Sequence, residues 1–200
     1  MRNLDFMDVI GEWNEIEELE SKIYKCGYCG EKISVNKGYE FNDRLGNVVY
    51  EIRICHNCNR PTFFDQYDNQ TPGVLYGDEV EYLSSEVKEL YDEARNCFSV
   101  NAFTSSILCC RKLLMNCAVD QGAKEGQRFV EYINFLEENH YIPKNINGCI
   151  DKIRKLGNEG THKIESKTKE EAELAIDFTS LVLKMIYEAP GKLMCKIESN

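Results

Sequence analysis

The sequence predicts an α+β protein, in which a small N-terminal β unit is followed by a mostly α-helical bundle of four to five helices. Two paired-cysteine motifs, Cys26-Gly-Tyr-Cys29 and Cys55-His-Asn-Cys58, are separated by runs that read as short strands. From about residue 78 onward, apolar residues recur every three or four positions, which is the spacing of one helix face. The predicted segments are a helix or arm over 1–20, the cysteine-bearing unit over 21–70 and the bundle over 78–195.

Composition places the chain among globular proteins with a sizeable core, since 42% of its residues are hydrophobic and 29% are charged. Residues 1–20 carry seven acids and no long apolar run, so they predict neither a secretory signal nor a membrane span. The protein is therefore expected to be cytoplasmic, with no membrane partner. In that compartment its ten cysteines are expected to stay reduced rather than form disulfides.

The charge is uneven along the chain. A net charge of −10 argues against a protein that coats nucleic acid nonspecifically, because such binding needs many Lys and Arg side chains to neutralise phosphates. Residues 21–60 nevertheless hold seven Lys or Arg and only four acids. A metal ion held by four thiolates would cancel about two of those positive charges and leave a slight basic excess.

The N-terminal third contains an arm followed by short strands. The apolar residues of 1–20 suit a short amphipathic helix or arm, in which Trp13 is either a packing anchor or an exposed contact for a partner. Beyond it, Asn36-Lys-Gly38 and Leu45-Gly-Asn47 are typical of turns. The predicted strands cover 32–35, 39–42 and 48–54.

Each paired-cysteine motif is a knuckle, a turn in which two thiolates can reach one ion. Strands that bring the knuckles together would give Cys26, Cys29, Cys55 and Cys58 a tetrahedral site with no position open for water. This arrangement resembles a zinc ribbon and predicts a structural Zn²⁺ as cofactor. A redox role is the weaker alternative, because a thioredoxin-type pair lies between a strand and a helix.

The C-terminal part contains five helical segments with recognisable ends. Ser84 or Ser85 can cap the first, and Thr168-Lys-Glu-Glu171 is a capping box that starts the last. Pro190-Gly191 is expected to stop that last helix. The predicted helices span 85–98, 102–119, 129–138, 146–162 and 169–187.

Two groups of polar residues lie among the apolar helix faces. Arg154, Asn158 and His162 are each four residues apart, so they share one side of a helix. In the alternative interpretation Gly157 helps to end that helix, and Asn158 and His162 only cap it. Arg111 falls within the buried arc of the second helix, where a guanidinium needs a partner or a polar cleft unless it snorkels to solvent.

Four motifs follow one another in a familiar order over 78–195. They are Tyr91-x-Glu93-Ala94-x-x-Cys97, the run 102–114 with Arg111, Ile153-Arg154-x-x-Gly157-Asn158-x-x-x-His162, and Thr168-Lys-Glu-Glu-Ala172. Together they resemble the uncharacterised HEPN-like helical domain of bacteria and phages. That domain occurs alone, behind zinc ribbons, or fused to restriction-enzyme subunits.

The resemblance implies a helical bundle that forms homodimers, with an Arg, a polar residue and a His lining a cleft. Catalytic HEPN members are metal-independent RNases of toxin, phage-defence and RNA-processing systems. On that likeness His162, beside Asn158, would transfer protons and Arg154 would stabilise the phosphorane charge. Family nucleases carry Arg directly before the polar residue, where this chain has Gly157. Arg154 must then act from one turn back, or Arg111 from the neighbouring helix.

Three functions follow from these observations. The first is a nucleic-acid-associated module that binds RNA or DNA through the ribbon and through a cleft bearing Arg111, Lys155 and Lys163, in a phage-defence setting. The second is a metal-independent endoribonuclease that depends on His162. The third is a noncatalytic dimerising adaptor or inhibitor that binds a partner protein through its acidic surface.

Overall fold

The computed structural model describes residues 11–159 and 166–198 and confirms the α+β layout. The chain divides into two compact units, Met1–Val74 and Leu75–Asn200. The first unit contains an antiparallel sheet and the second contains helices. In the described ranges, none of the helices is long and apolar enough to cross a membrane.

Five strands form one antiparallel sheet in which each strand pairs with the next along the chain. The predicted strand 48–54 is confirmed, whereas the runs 32–35 and 39–42 are two halves of one long strand. The predicted turn at 36–38 is therefore wrong. The strands are β1 (Glu17–Lys25), β2 (Lys32–Asn42), β3 (Val48–Ile54), β4 (Pro61–Phe64) and β5 (Gln70–Thr71).

Gly38 explains why the long strand passes through an apparent turn signal. It pairs with Glu17 of β1 on one side and with Arg53 of β3 on the other. A Cβ atom added to Gly38 would lie 1.9 Å from the carbonyl oxygen of Ile52. The glycine permits a close approach of two backbones in a strand interior, which sequence reading cannot distinguish from a turn.

The N-terminal segment was predicted to be a helix or arm as far as residue 20. Instead β1 begins at Glu17 and pairs with β2. Its register shifts between Glu18 and Lys22, so an irregular stretch disguises the two-residue alternation of a strand. Residues 1–10 lie outside the described residues.

Two hairpin turns of the sheet have the same construction. In the β2–β3 turn, the Asp43 carboxylate accepts hydrogen bonds from the backbone amides of Leu45 and Asn47 and from the Asn47 side chain. In the β4–β5 turn, Asp65 accepts the corresponding bonds from Tyr67 and Asn69. Such Asx turns let a short aspartate replace backbone partners, which fixes both hairpins.

The core of the sheet unit is small. Tyr24 and Phe64 meet edge to face, with ring centroids 5.1 Å apart, beside the buried Cys26 and Cys55. Arg53 is also buried, and its guanidinium bonds to the Glu51 carboxylate at 3.0 Å and to the Glu20 carbonyl at 2.7 Å. A core of this size provides little hydrophobic stabilisation, so the unit needs an additional cross-link.

The helical unit has the predicted apolar stripes in its core, with Tyr91, Leu113, Ile133, Ile150 and Ile176 almost fully buried. Its ends also match, since the Ser84 side chain caps the first helix and the Thr168 capping box starts the fifth. The helices are α1 (Ser85–Ser99), α2 (Phe103–Asp120), α3 (Phe129–Glu138), α4 (Asn147–Glu159) and α5 (Lys169–Leu183).

The predicted stop at Pro190-Gly191 is wrong. The helix α5 passes through a π-helical turn, Lys184–Glu188, and continues as α6 (Ala189–Glu198). The Ala189 amide donates to the Lys184 carbonyl, five residues back, which is the wider spacing of a π turn. The widened turn lets a proline enter the next helical segment, where it has no amide to donate. Gly191 has room beside Tyr82 only because it has no side chain.

Candidate functional site

The four knuckle cysteines lie together in the sheet unit. The sulfur atoms of Cys26 and Cys58 are 3.8 Å apart, as are those of Cys29 and Cys55, and all four lie within 4.8 Å of one another. A tetrahedron of thiolates with metal–sulfur bonds of about 2.3 Å has edges of about 3.8 Å. The cysteine set therefore fits one tetrahedral metal ion and supplies all four ligands.

The two knuckles have the same backbone geometry. In each, the first cysteine's carbonyl accepts a bond from the amide four residues on, at 2.9 Å for Gly30 and 2.8 Å for Asn59. Gly30 and Asn59 both adopt positive φ, at 72° and 56°. Gly and Asn are the residues that tolerate this conformation, so the sequence after each motif closes the turn around the ion.

The thiols respond differently to this environment. Burial raises the pKa of both Cys26 and Cys58. Burial opposes ionisation of Cys29 too, but hydrogen bonds from the Asn57 side chain and the Glu31 backbone lower its pKa to about 7. Metal binding to the set must therefore release protons from the buried thiols.

A row of exposed aromatic rings crosses one face of the same sheet. Phe41 and Tyr50 are cross-strand partners with ring centroids 5.9 Å apart, and Tyr50 lies 5.7 Å from Phe63 in a stacked arrangement. Their exposed fractions are 61%, 41% and 39%. Ile52, the partner of Phe63, lies on the same face. We call Phe41, Tyr50 and Phe63 the aromatic row.

Sequence reading missed the aromatic row, although a signal was present. Tyr39 and Phe41 on one strand, and Tyr50 and Ile52 on the next, alternate with polar residues at a period of two. That pattern shows that each strand has an apolar face. Only the register, which pairs Phe41 with Tyr50, shows that the rings form a row and that the row is exposed.

In the helical unit, Arg111 is half-buried on α2. Its guanidinium sits 4.9 Å from the centre of the Phe129 ring, and its buried Nη1 atom has no hydrogen-bond acceptor among the described residues. Burial lowers the pKa of Arg111. The neighbouring cavity, which Ile153 and Leu156 of α4 also line, has a volume of only about 10 Å³. Such a space holds at most one water molecule.

Arg154 has a different environment. Its Nη2 atom donates to Glu137 at 2.6 Å and to Asn134 at 2.8 Å, and its Nη1 donates to Asp151 at 3.0 Å. Two carboxylates therefore neutralise its charge, and the bonds to Glu137 and Asn134 tie α4 to α3. Arg154 thus reaches toward α3, whereas Arg111 lines the small cavity together with Ile153 and Leu156 of α4.

Lys155 is exposed and, with Lys152 and Leu156, lines an open pocket of about 350 Å³ against the start of α5. Leu156 thus separates this pocket from the cavity beside Arg111. Of the remaining predicted site residues, Asn158 has only its backbone described, in α4. His162 and Lys163 lie outside the described residues.

Of the cysteines of α2, Cys110 and Cys117 are buried and Cys109 is half-buried. Burial raises the pKa of Cys109 to about 11 and that of Cys110 to about 12. Thiols with such pKa values carry almost no thiolate near neutral pH, so these two adjacent residues are packing groups rather than nucleophiles.

Comparison with known proteins gave one family. The model of the family described as "Domain of unknown function (DUF4145)" matches residues 92–200, more than half of the chain. No curated protein and no solved structure matched the chain. The matched region begins within α1 and includes α2 to α6, but it does not include the four-cysteine cluster or the aromatic row.

Proposed function

The chain belongs to the DUF4145 family, and from this premise we propose that it is a zinc-ribbon protein that binds single-stranded RNA or DNA through the aromatic row of its N-terminal sheet. The exposed, adjacent rings of Phe41, Tyr50 and Phe63 are the observation that carries the proposal. The zinc ion would hold the sheet that presents them.

The chemistry of the cysteine cluster supports zinc as the ion. Four thiolates at tetrahedral separations are the ligand set of structural zinc sites, in which the metal stabilises the fold. The set leaves no position open for water or substrate. The proposed role of Cys26, Cys29, Cys55 and Cys58 is therefore structural.

The aromatic row supports nucleic acid because exposed rings on a sheet give bases a surface on which to stack. Each base has a π-face, and such stacking contributes about 1–3 kcal/mol per base with little sequence preference. Bases in a duplex are already stacked on each other, so the surface suits single strands. Soluble domains seldom leave three contiguous aromatic rings exposed without a binding role.

The charge of the sheet unit predicts how such binding responds to salt. Residues 11–74 contain seven Lys or Arg and eleven acids, so phosphate neutralisation cannot dominate the affinity. The exposed cations nearest the row in sequence are Lys37 and Arg44. Two phosphate contacts on a single strand give a slope of log affinity against log salt of roughly −1.4. The proposal therefore expects weak salt dependence.

For the helical unit, the resemblance described above supports a HEPN-like bundle that forms the homodimer, with phage defence as its setting. The described part of the site favours binding over RNA cleavage, because Arg154 is already neutralised by Glu137 and Asp151. Light scattering on the zinc-loaded chain tests the dimer, and a monomer at micromolar concentration would contradict it.

Fluorescence anisotropy with a labelled mixed-sequence 12-nucleotide RNA and its DNA equivalent tests the proposed function. The zinc-loaded chain should bind both single strands and bind the matching duplexes more weakly. Replacing one ring of the row, as in Phe41→Ala or Phe63→Ala, should weaken binding about 5- to 150-fold, which corresponds to 1–3 kcal/mol.

Tyr67→Ala is the matched control, because Tyr67 is 76% exposed on the same sheet unit but lies in the β4–β5 turn. This variant should bind like the unchanged protein. Equal affinity of the Phe41→Ala, Phe63→Ala and Tyr67→Ala proteins, or no binding by the zinc-loaded chain at low salt, would contradict the proposal.

A further inference from the structure

A pocket of about 490 Å³ opens on the sheet unit between the N-terminal segment and the second knuckle. Its apolar part includes the Trp13 indole and the buried side chains of Val35 and Ile54. Its polar part includes the exposed side chains of Lys37 and His56. Pockets of this size and mixed lining are typical of small-ligand sites.

Two hydrogen bonds hold the pocket's outer wall in place. The Trp13 indole Nε1 donates to the Asn59 carbonyl at 3.1 Å, so the ring is oriented by the knuckle. The Tyr39 hydroxyl donates to the Asn14 carbonyl, which anchors the adjoining backbone to β2. The indole remains 38% exposed although its polar atom is satisfied. A ligand could therefore use the ring face without breaking this bond.

The pocket continues the aromatic row. Tyr50, Ile52 and Ile54 alternate along β3, so they lie on one face of the sheet. Tyr50 belongs to the aromatic row, and Ile54 lines the pocket. A single strand stacked on the row would thus have the pocket at one end of its path.

We propose that this pocket binds one nucleotide, with its base against Trp13 and its phosphate at Lys37. An indole gives a base a large π-face, and the Lys37 ammonium supplies the positive charge that a phosphate requires. The Asn36 amide and the Glu12 carboxylate, which also line the pocket, can bond to the edge of the base. The inference deepens the proposed function. It rests on that function where the bound nucleotide is the end of a single strand that lies on the aromatic row.

Trp13 is the chain's single tryptophan, so its fluorescence reports this pocket directly. The probes are AMP, CMP, GMP and UMP, each titrated to 10 mM into the zinc-loaded full-length protein. At least one nucleotide should change the emission in a saturable manner. The matching nucleoside should bind about 5-fold more weakly, since it lacks the phosphate that contacts an exposed lysine.

Lys37→Gln tests the phosphate contact, and Lys32→Gln is its control, because Lys32 lies on the same strand, is also exposed and does not line the pocket. The Lys37 variant should bind the nucleotide about 5-fold more weakly, and the Lys32 variant should not change. A flat titration with all four nucleotides, or equal affinities of the two variants, would overturn the inference.

A second comparison separates this inference from the proposed function. It also shows whether the pocket takes a free nucleotide or a nucleotide of a bound strand. Phe41→Ala should weaken strand binding about 5- to 150-fold and keep the Trp13 response to free nucleotides. If the oligonucleotide perturbs Trp13 but no free nucleotide does, the inference of a nucleotide pocket is overturned while the aromatic row stands. If free nucleotides bind and the oligonucleotide does not, the pocket stands and the strand-binding function fails.

Discussion

Gly38 shows at the scale of one residue how the sheet depends on a missing side chain. A Cβ at this position would lie 1.9 Å from the Ile52 carbonyl oxygen, which is backbone and cannot rotate away. Gly38→Ala should therefore destabilise the sheet unit by about 1–3 kcal/mol, the usual cost of overpacking. Urea unfolding followed by sheet-unit NMR signals measures the change.

Gly11→Ala is the control for that experiment, because its added Cβ meets no atom within 4 Å in the part of the chain that the structure describes. It should leave the unfolding free energy within about 0.5 kcal/mol of the original protein. Equal stability of the Gly38→Ala and Gly11→Ala proteins would show that the strands do not approach so closely.

Two arginines of the helical unit give a second prediction at this scale. Arg95 is buried and donates to the carbonyls of Tyr76 and Gly77, at 2.9 and 3.1 Å, whereas Arg111 is half-buried and its buried Nη1 atom has no acceptor among the described residues. Arg95→Met should cost about 2–4 kcal/mol, because it leaves carbonyls without donors. Arg111→Met should be neutral or stabilising, because it removes a half-buried cation whose Nη1 atom lacks such an acceptor.

Thermal unfolding of the two variants measures this difference. If Arg111→Met is as destabilising as Arg95→Met, Arg111 has an acceptor that the described residues do not include. An acceptor of that kind would make Arg111 a structural cation rather than a group available to a ligand.

At the scale of secondary-structure elements, a charge network of Glu51 and Arg53 on β3 and Lys22 on β1 links these strands of the sheet. Glu51 bonds to Arg53 at 3.0 Å and forms an ion pair with Lys22 at 3.2 Å. Burial alone would raise the pKa of Glu51, but these two cations hold it below its ordinary value of 4.5. The network's contribution to stability is thus complete above the pKa that Glu51 has in the unfolded chain. It is lost as the pH falls through the lower pKa that Glu51 has in the folded protein.

The corresponding prediction compares the chain with Glu51→Gln between pH 7 and pH 3. The unchanged protein should be more stable at pH 7, and its advantage should shrink as the pH falls below 4.5. Taking the difference between the two proteins cancels the loss of metal that acid also causes. Glu17→Gln, at an exposed position of β1, should show no such pH dependence. A constant difference for Glu51→Gln across the pH range would rule out the network.

Sequence reading predicted the helices better than the strands, for physical reasons. Helix ends depend on local chemistry, and Ser84 and Thr168 cap their helices as their sequence contexts indicate. The strand β1 has an irregular register and β5 has only two residues, so no clear two-residue alternation marks either one. The predicted stop at Pro190 was wrong because the preceding π turn is wider than an α-helical turn, so the proline enters the next helical segment without the clash and the lost hydrogen bond that normally stop a helix.

The same contrast applies to the candidate site. The four cysteines could be identified because each knuckle is local and its spacing is set by the ion. The aromatic row could not be predicted, because it depends on the register that places Phe41 beside Tyr50. The half-buried position of Arg111 followed from helix periodicity, but two of the acceptors of Arg154, Asn134 and Glu137, come from α3 and are invisible in the sequence of α4.

At the scale of the whole molecule, the two units should respond differently to loss of metal. The sheet unit has a small core that includes its metal ligands, whereas the helical unit has an extensive apolar core of its own. A strong chelator should therefore unfold the sheet unit and leave the helical circular dichroism signal at 222 nm nearly intact.

Cys26→Ser should reproduce the effect of the chelator, because it removes one of the four ligands. Near-ultraviolet circular dichroism, which reports the packed Tyr24 and Phe64 rings, follows the sheet unit in both experiments. Sheet-unit signals that persist after chelation would contradict a structural role for the metal. Loss of the 222 nm signal would show that the helices also depend on it.

Ultraviolet crosslinking of the zinc-loaded chain to a labelled single-stranded RNA, with the crosslinked residues identified by mass spectrometry, tests the central claim most directly. The account predicts crosslinks at Phe41, Tyr50 and Phe63, because stacked aromatic rings are in contact with the bases. Crosslinks confined to Leu75–Asn200 would contradict the account. An absence of any crosslink at low salt would contradict it as well.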